Sequence, residues 1–202
     1  MNEFSAQIIA AAAALSLWEV SAVVLALAYL VLAIRENIAC WLAAIFSTGI
    51  YLVLMFQAGL YMESALQIFY LAMAFYGWYS WKHGAKPGQE LKVSSWPLHR
   101  HIVPLLLILL ATLISGYLLT TFTHAAMPYL DSFTTWGAIF TTWMVARKIV
   151  QNWHYWFIID FVSVYLYLNR GLYLTALLFM LYLVLIVIGL RQWRKSLDAA
   201  PA

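Results

Sequence analysis

Three runs of this sequence place polar and aromatic groups where they could do chemistry inside otherwise apolar segments. From Glu63, the residues Gln67, Tyr70, Ala74, Gly77 and Trp81 fall within about 40° of one line when each residue turns about 100°. One helix face thus carries a carboxylate, an amide and aromatic rings. Trp153, Trp156, Asp160, Val164 and Tyr167 make a comparable stripe; Asp131, Thr135, Ala138 and Thr142 make a third, with Trp143 nearby. Polar side chains in an apolar medium are costly and face a bundle interior or a wet cavity. Aromatic walls attract a planar ring, and a cationic ring more strongly. A buried carboxylate offsets positive charge, while Gln, Asn, Thr and Tyr bond hydroxyls or an amide. No Arg or Lys lies in the middle of any apolar run, so a phosphorylated ligand is disfavoured. There is no phosphate-binding loop to suggest direct drive by ATP. No nucleophile–base pair or metal-ligand set appears, which makes an intramembrane enzyme the least favoured class. Cys40 is the single cysteine, which excludes an internal disulfide and a multi-cysteine metal cluster.

Many of these residues also have plain structural roles. Trp81, Trp193 and Trp18 stand near the ends of apolar runs and read as interfacial anchors. Gly77 and Gly189 read as close-packing positions, and Thr134 and Thr141 as hydroxyls bonded to their own helix. Glu19 and Asp131 suit the positive end of a helix dipole. His124 and His154 sit near run ends, and His99 and His101 lie in a polar linker without other metal ligands. Asp160 and Gln67 lie deeper and read as functional. Trp153 and Trp156, one turn apart on the Asp160 face, are either walls for a flat ring or packing residues.

The elements that position these residues follow from composition. Of 202 residues, 65% are hydrophobic, 17% aromatic and 9% charged, and mean hydropathy is +0.85. Soluble domains carry roughly 25% charged and roughly 45–50% apolar residues. The solvent for most of this chain is therefore lipid, which excludes a soluble enzyme, a nucleic-acid module and a disordered regulator. A bilayer-spanning helix needs roughly 20 mostly apolar residues. Seven runs qualify, at about 18–34, 38–57, 60–82, 102–123, 130–148, 153–169 and 171–193. The stretch Phe4–Leu17 is too short to span and reads as an interfacial helix or an extension of the first span. The expected plan is a short apolar segment over 1–17, three helices over 18–82 and a polar cytoplasmic linker over 83–101. A connector helix over 102–123, three more helices over 130–193 and a cytoplasmic tail over 194–202 complete it.

Positive residues favour the cytoplasmic side of short loops. Arg35, Lys82, Lys86, Lys92, Arg100, Arg147, Lys148, Arg191, Arg194 and Lys195 share one side, and Arg170 stands alone on the other. This predicts the N-terminus outside and the C-terminus inside. It also makes the net charge of +3 a topology signal and not a nucleic-acid footprint. The first residues hold Glu3 and no basic residue, so no signal peptide is expected.

The chain also repeats itself. The segment from Gly59 aligns without a gap on the segment from Gly171, an offset of 112. Leu60/Leu172, Tyr61/Tyr173, Leu66/Leu178, Tyr70/Tyr182, Gly77/Gly189 and Trp81/Trp193 coincide, and so, further back, do Trp41/Trp153 and Arg35/Arg147. The match is not complete, because Ala44 stands where Trp156 would be. Equivalent helices are separated by an even number of spans, so the repeats share one orientation, with the fourth span as connector. Parallel three-helix repeats about an axis along the membrane normal are a transporter design with a midplane site. Seven-helix receptors and retinal proteins are not expected to carry such a duplication, and the seventh span has no lysine for a Schiff base.

The motifs Leu66-Gln67-x-x-Tyr70, Gly77-Trp78-x-x-Trp81, Trp153-x-x-Trp156-x-x-x-Asp160, Gly171-Leu172-Tyr173 and Leu181-Tyr182 with Gly189 and Trp193 resemble the PnuC-type nicotinamide riboside transporters of bacteria. The resemblance covers about residues 18–193. It implies an all-α membrane fold of seven transmembrane helices, two parallel three-helix repeats joined by a connector helix (3+1+3), similar in plan to the SWEET sugar transporters and usually a trimer in the inner membrane. It further implies uptake of nicotinamide riboside, an NAD precursor, by facilitated diffusion, with trapping by a cytoplasmic riboside kinase and no cofactor. On this reading Trp153 and Trp156 stack on the pyridinium ring with Tyr167 nearby. Gln67, Tyr70 and Asn169 bond the carboxamide or the ribose, and Asp160 either offsets the cationic ring or holds the tryptophans. Glu63, Thr142 and Thr48 complete the substrate-binding set. Relatives that carry thiamine or riboflavin share the tryptophan pattern. A transporter of another vitamin or a sugar therefore stays open, as does a non-transporting sensor or scaffold.

Overall fold

The computed structural model describes residues 9, 10, 12–57, 61–84, 91–123, 125 and 127–199, with the backbone alone at 61–63 and 65. The segment expected at 1–17 falls largely outside the described residues. Backbone groups without water must bond within their own segment, so the apolar runs are helical. They form α1 (Leu17–Ile34), α2 (Ala39–Gln57), α3 (Tyr61–His83), α4 (Ile102–Phe122), α5 (Pro128–Ala146), α6 (Asn152–Asn169) and α7 (Tyr173–Asp198). These bounds lie within two residues of the expected ones except where α7 runs on to Asp198, so most of the expected tail is helix. A 3-10 turn, Leu98–His101, precedes α4.

The ends have local causes. Ser16 and Glu19 form a reciprocal capping box at the start of α1: the Glu19 amide donates to Ser16 Oγ (3.2 Å), and the Ser16 amide donates to Glu19 Oε2 (2.6 Å). Pro128 opens α5, where its missing N–H costs nothing. The stretches Leu17–Ile34, Ala39–Gln57, Leu98–Phe122 and Tyr173–Asp198 are long and apolar enough to cross a membrane. The remaining helices α3, α5 and α6 carry the polar and aromatic stripes, which lower their hydropathy.

Packing follows the repeat. α1 packs on α2 and α2 on α3; α5 packs on α6 and α6 on α7. The two groups meet through α3 against α5 and α7 against α1, so six helices close a ring, and α4 packs on α5 from outside it. The turns after α1 and α5 match bond for bond at offset 112. Asn37 N–H donates to Leu32 O (2.9 Å) as Ile149 N–H does to Met144 O (3.0 Å). Cys40 N–H donates to Asn37 O as Asn152 N–H does to Ile149 O, both at 3.0 Å. In each turn the second residue after the helix end takes a left-handed backbone, φ 55 at Glu36 and φ 49 at Lys148.

Four tryptophans hold the two groups together at this end. The Trp41 ring lies over Gly77 and meets Trp81 edge-on, with ring centres 5.4 Å apart. The Trp153 ring lies over Gly189 and meets Trp193 edge-on, also at 5.4 Å. Trp81 Nε1 donates across to Val145 O of α5 (3.2 Å), and Trp193 Nε1 donates to Ala33 O of α1 (2.9 Å). The acceptors Ala33 and Val145 are themselves 112 apart. This corrects the reading of Trp81 and Trp193 as interfacial anchors. They are 4% and 0% exposed because the carbonyls they reach belong to the opposite group, whereas Trp18, at 66%, is exposed.

With lipid outside, helix association rests on close packing and on interhelical hydrogen bonds. A Cβ on Gly77 would come within 2.3 Å of the Trp41 ring, and one on Gly189 within 2.5 Å of the Trp153 ring. Gly77→Val is therefore expected to cost about 1–3 kcal/mol of stability, read as a lowered unfolding temperature in detergent. Gly49→Val, with open space around its Cβ position, is the control.

The linker after α3 is stitched to the α5–α6 turn. Ser94 N–H donates to Lys148 O and Val150 N–H donates to Ser94 O, each at 2.9 Å. Gln151 Nε2 donates to Ser95 Oγ and Trp96 O, and its Oε1 accepts from Trp96 N–H. Val93 is buried in the same core as Trp81 and Trp193.

Candidate functional site

Between α1 on one side and α5, α6 and α7 on the other lies a narrow cavity of about 180 Å³. Tyr29, Ala26, Leu30 and Ala33 of α1 form one wall, Val145 of α5 joins them, and Trp153, Trp156 and Asp160 of α6 face Phe179, Tyr182 and Ile186 of α7. Ala26, Phe179 and Tyr182 also border a wide cavity of about 1010 Å³ toward the end where α1 begins. Glu19, Tyr51, Gln67, Tyr167 and Thr175 line that second space. The two cavities share these walls and run one behind the other between the helix groups. A separate apolar cavity of about 400 Å³ lies outside the ring between α4, α5 and α6 and holds no carboxylate.

Asp160 is 4% exposed. The ion pair between Lys148 and Glu36 is the only one among the described residues, so none of the described Lys, Arg or His side chains pairs with Asp160. A buried carboxylate is costly until it is paired or hydrogen-bonded. Trp156 is partly open to the cavity, and Tyr29, Phe179 and Tyr182 complete an aromatic enclosure. Tyr182 borders both cavities, beside Asp160 in the narrow one and Tyr51 and Tyr167 in the wide one. Among the described residues, no Lys or Arg lines either cavity.

The residues singled out in the sequence are distributed as follows. Trp153, Trp156 and Asp160 share the narrow cavity, while Gln67 and Tyr167 share the wide one. Most of the Trp153 ring is committed to Gly189 and Trp193, and its indole N–H, like that of Trp41, has no partner among the described residues. Tyr70 is partly buried on α3. Thr142 is buried in α5 with its hydroxyl on Ala138 O (2.7 Å), and Thr48 is partly buried in α2. Asn169 is exposed at the end of α6 and donates to Tyr165 O (2.8 Å). The side chain of Glu63 lies outside the described residues.

Tyr29, Phe179 and Tyr182 were not singled out as site residues. Two of them had a signal: Phe179 and Tyr182 are the offset-112 partners of Gln67 and Tyr70. Tyr29 had none, since α1 carries no polar stripe around it. Glu19 and Asp131 do sit in the first turns of α1 and α5, where dipole partners belong.

An all-α bundle of long apolar helices around a paired internal cavity is the architecture of a membrane transporter. Residues 16–195 match the family model described as the nicotinamide mononucleotide transporter. This chain belongs to that family, the PnuC-type vitamin transporters. It is 27% identical over 190 residues to the nicotinamide riboside transporter PnuC of Escherichia coli, covering 82% of this chain and 80% of that protein. It is 26% identical over 192 residues to the riboflavin/roseoflavin transporter RibM of Streptomyces davaonensis, covering 89% of each. The fold matches the crystal structure of the vitamin B3 transporter PnuC with a TM-score of 0.74 at 18% identity, over 96% of this chain and 88% of that one.

Proposed function

We propose that this chain carries nicotinamide riboside across the bacterial inner membrane by facilitated diffusion, with the nicotinamide ring in the narrow cavity. The observation that carries this reading is the narrow cavity itself, a ring of aromatic side chains around one buried carboxylate with no Lys or Arg among the described residues of the lining. A pyridinium ring gains from stacking and cation–π contact with Trp156 and from the charge of Asp160. The carboxamide and ribose extend into the wide cavity toward Gln67 and Tyr167, and Tyr70 of α3 joins the proposed set. Trp153 backs the ring; Thr48, Thr142, Asn169 and Glu63 complete the proposed substrate-binding set.

All seven helices cross the membrane on this reading, as two parallel triples joined by α4 (3+1+3). The basic turns face the cytoplasm and the N-terminus lies outside. Rocking of one triple against the other exposes the site alternately. The functional unit is a homotrimer, and a cytoplasmic riboside kinase traps the product without touching the transporter.

Selectivity against phosphate follows from the lining. A phosphorylated riboside brings a dianion into a cavity with no Lys or Arg among its described residues and with Asp160 already present. Its binding is expected to be at least about a hundredfold weaker than that of the riboside, because an unpaired buried charge is costly. Titration calorimetry of purified protein with riboside, mononucleotide, thiamine, riboflavin and glucose is the test. Riboside must bind tightest; equal or tighter binding of the mononucleotide defeats the reading. The likeness to a riboflavin/roseoflavin transporter favours riboflavin as the second reading, and the same titration separates the two.

A further inference from the structure

The two ends of the site are built differently. The wide cavity lies toward the start of α1. At the opposite end Ala33, Cys40, Trp41, Trp81, Val145, Trp153 and Trp193 form one buried cluster that closes the space below Asp160. Just beyond that cluster, Lys148 Nζ lies 3.2 Å from Glu36 Oε2 and 4.5 Å from the centre of the Trp81 ring. Glu36 belongs to the α1–α2 turn and Lys148 to the α5–α6 turn, and the two positions are 112 apart. A residue and its own repeat partner thus meet across the pseudo-twofold axis. An unchanged duplicate would set like charges against each other there; this chain sets opposite ones.

Both residues also hold a left-handed backbone, which glycine adopts at no steric cost and other residues adopt at about 1 kcal/mol. Keeping two long charged side chains at such positions indicates that the side chains themselves are used. Lys148 is further fixed through its carbonyl to the Ser94 amide of the linker, so one half of the pair stands on a braced support. We infer that the Glu36–Lys148 pair is a latch that holds the two helix groups closed at the end assigned to the cytoplasm and must part for the site to open there. The pair lies at the edge of the cluster, with side-chain exposures of 10% for Lys148 and 21% for Glu36. Water can therefore replace each partner when the groups separate, which makes the contact reversible. The inference rests on the transport reading given above.

The single cysteine provides the measurement. Cys40 is 0% exposed and sits in the closed cluster, so a small maleimide reaches it only when this end opens. Glu36→Gln and Lys148→Gln are each expected to raise the rate of Cys40 modification about tenfold, the scale of losing one partly buried ion pair. The exchange Glu36→Lys with Lys148→Glu restores the pair in reverse and is expected to return the rate to within about twofold of the native protein. Native-like labelling in both single variants overturns the latch. Fast labelling that the exchange does not reverse also overturns it, because packing and not charge would then hold the end shut. A native unfolding temperature in the exchanged protein shows that the fold survives. No substrate is present during labelling, so this result is independent of whether riboside is the cargo.

Discussion

Trp156→Ala is expected to weaken nicotinamide riboside binding by about 150-fold while leaving the fold intact. The figure combines a desolvated cation–π contact, roughly 2 kcal/mol, with lost ring stacking, itself worth about 1 kcal/mol. Trp156 is partly exposed in the narrow cavity, and its repeat partner is Ala44, so the scaffold tolerates a small residue at this position. Trp156→Phe keeps a ring and should retain most of the affinity. Trp153→Ala is a contrasting variant. Its ring fills the space over Gly189 and packs against Trp193, so it is expected to lower stability as well as binding. Calorimetry together with thermal unfolding separates the two effects. Unchanged riboside affinity in Trp156→Ala removes the stacking role.

The second large effect concerns charge. Asp160→Asn is expected to reduce affinity for the cationic riboside by about thirtyfold, the scale of removing one partner from a buried charge pair. The same variant should bind the uncharged, reduced riboside nearly as the native protein does, because size and shape are unchanged. In the absence of ligand, Asp160→Asn should be at least as stable as the native chain, since a buried acid that pairs with none of the described Lys, Arg or His side chains has been neutralised. Loss of stability without loss of charge discrimination would instead make Asp160 a support for the tryptophans.

Much of this architecture was legible in the sequence because lipid imposes simple rules. Apolar runs gave the helix positions to within two residues at most ends, and the offset of 112 marked the two halves as equivalent, an equivalence the matching turns and Trp–Gly contacts carry through. What remained hidden depended on which surface a residue meets. Trp81 and Trp193 look like anchors from position alone, since a tryptophan at a helix end reads the same whether it faces lipid headgroups or the carbonyl of another helix group. Tyr29 enters the cavity without any periodic neighbour to mark it. Thr142 lies on a polar stripe, but its hydroxyl returns to its own helix, a choice that spacing cannot distinguish. The Glu36–Lys148 pair was present in the numbering, yet only the folded turns bring the two positions together on the axis.

The central claim is a riboside pathway between the two helix groups that needs no energy source. Its most direct test is uptake of labelled nicotinamide riboside into vesicles containing only this protein, with no ion gradient. The account predicts saturable uptake that levels off when internal and external concentrations are equal and that is lost in Trp156→Ala at low substrate concentration. Absence of riboside uptake by well-folded protein, or uptake that requires an imposed proton or sodium gradient, would contradict it.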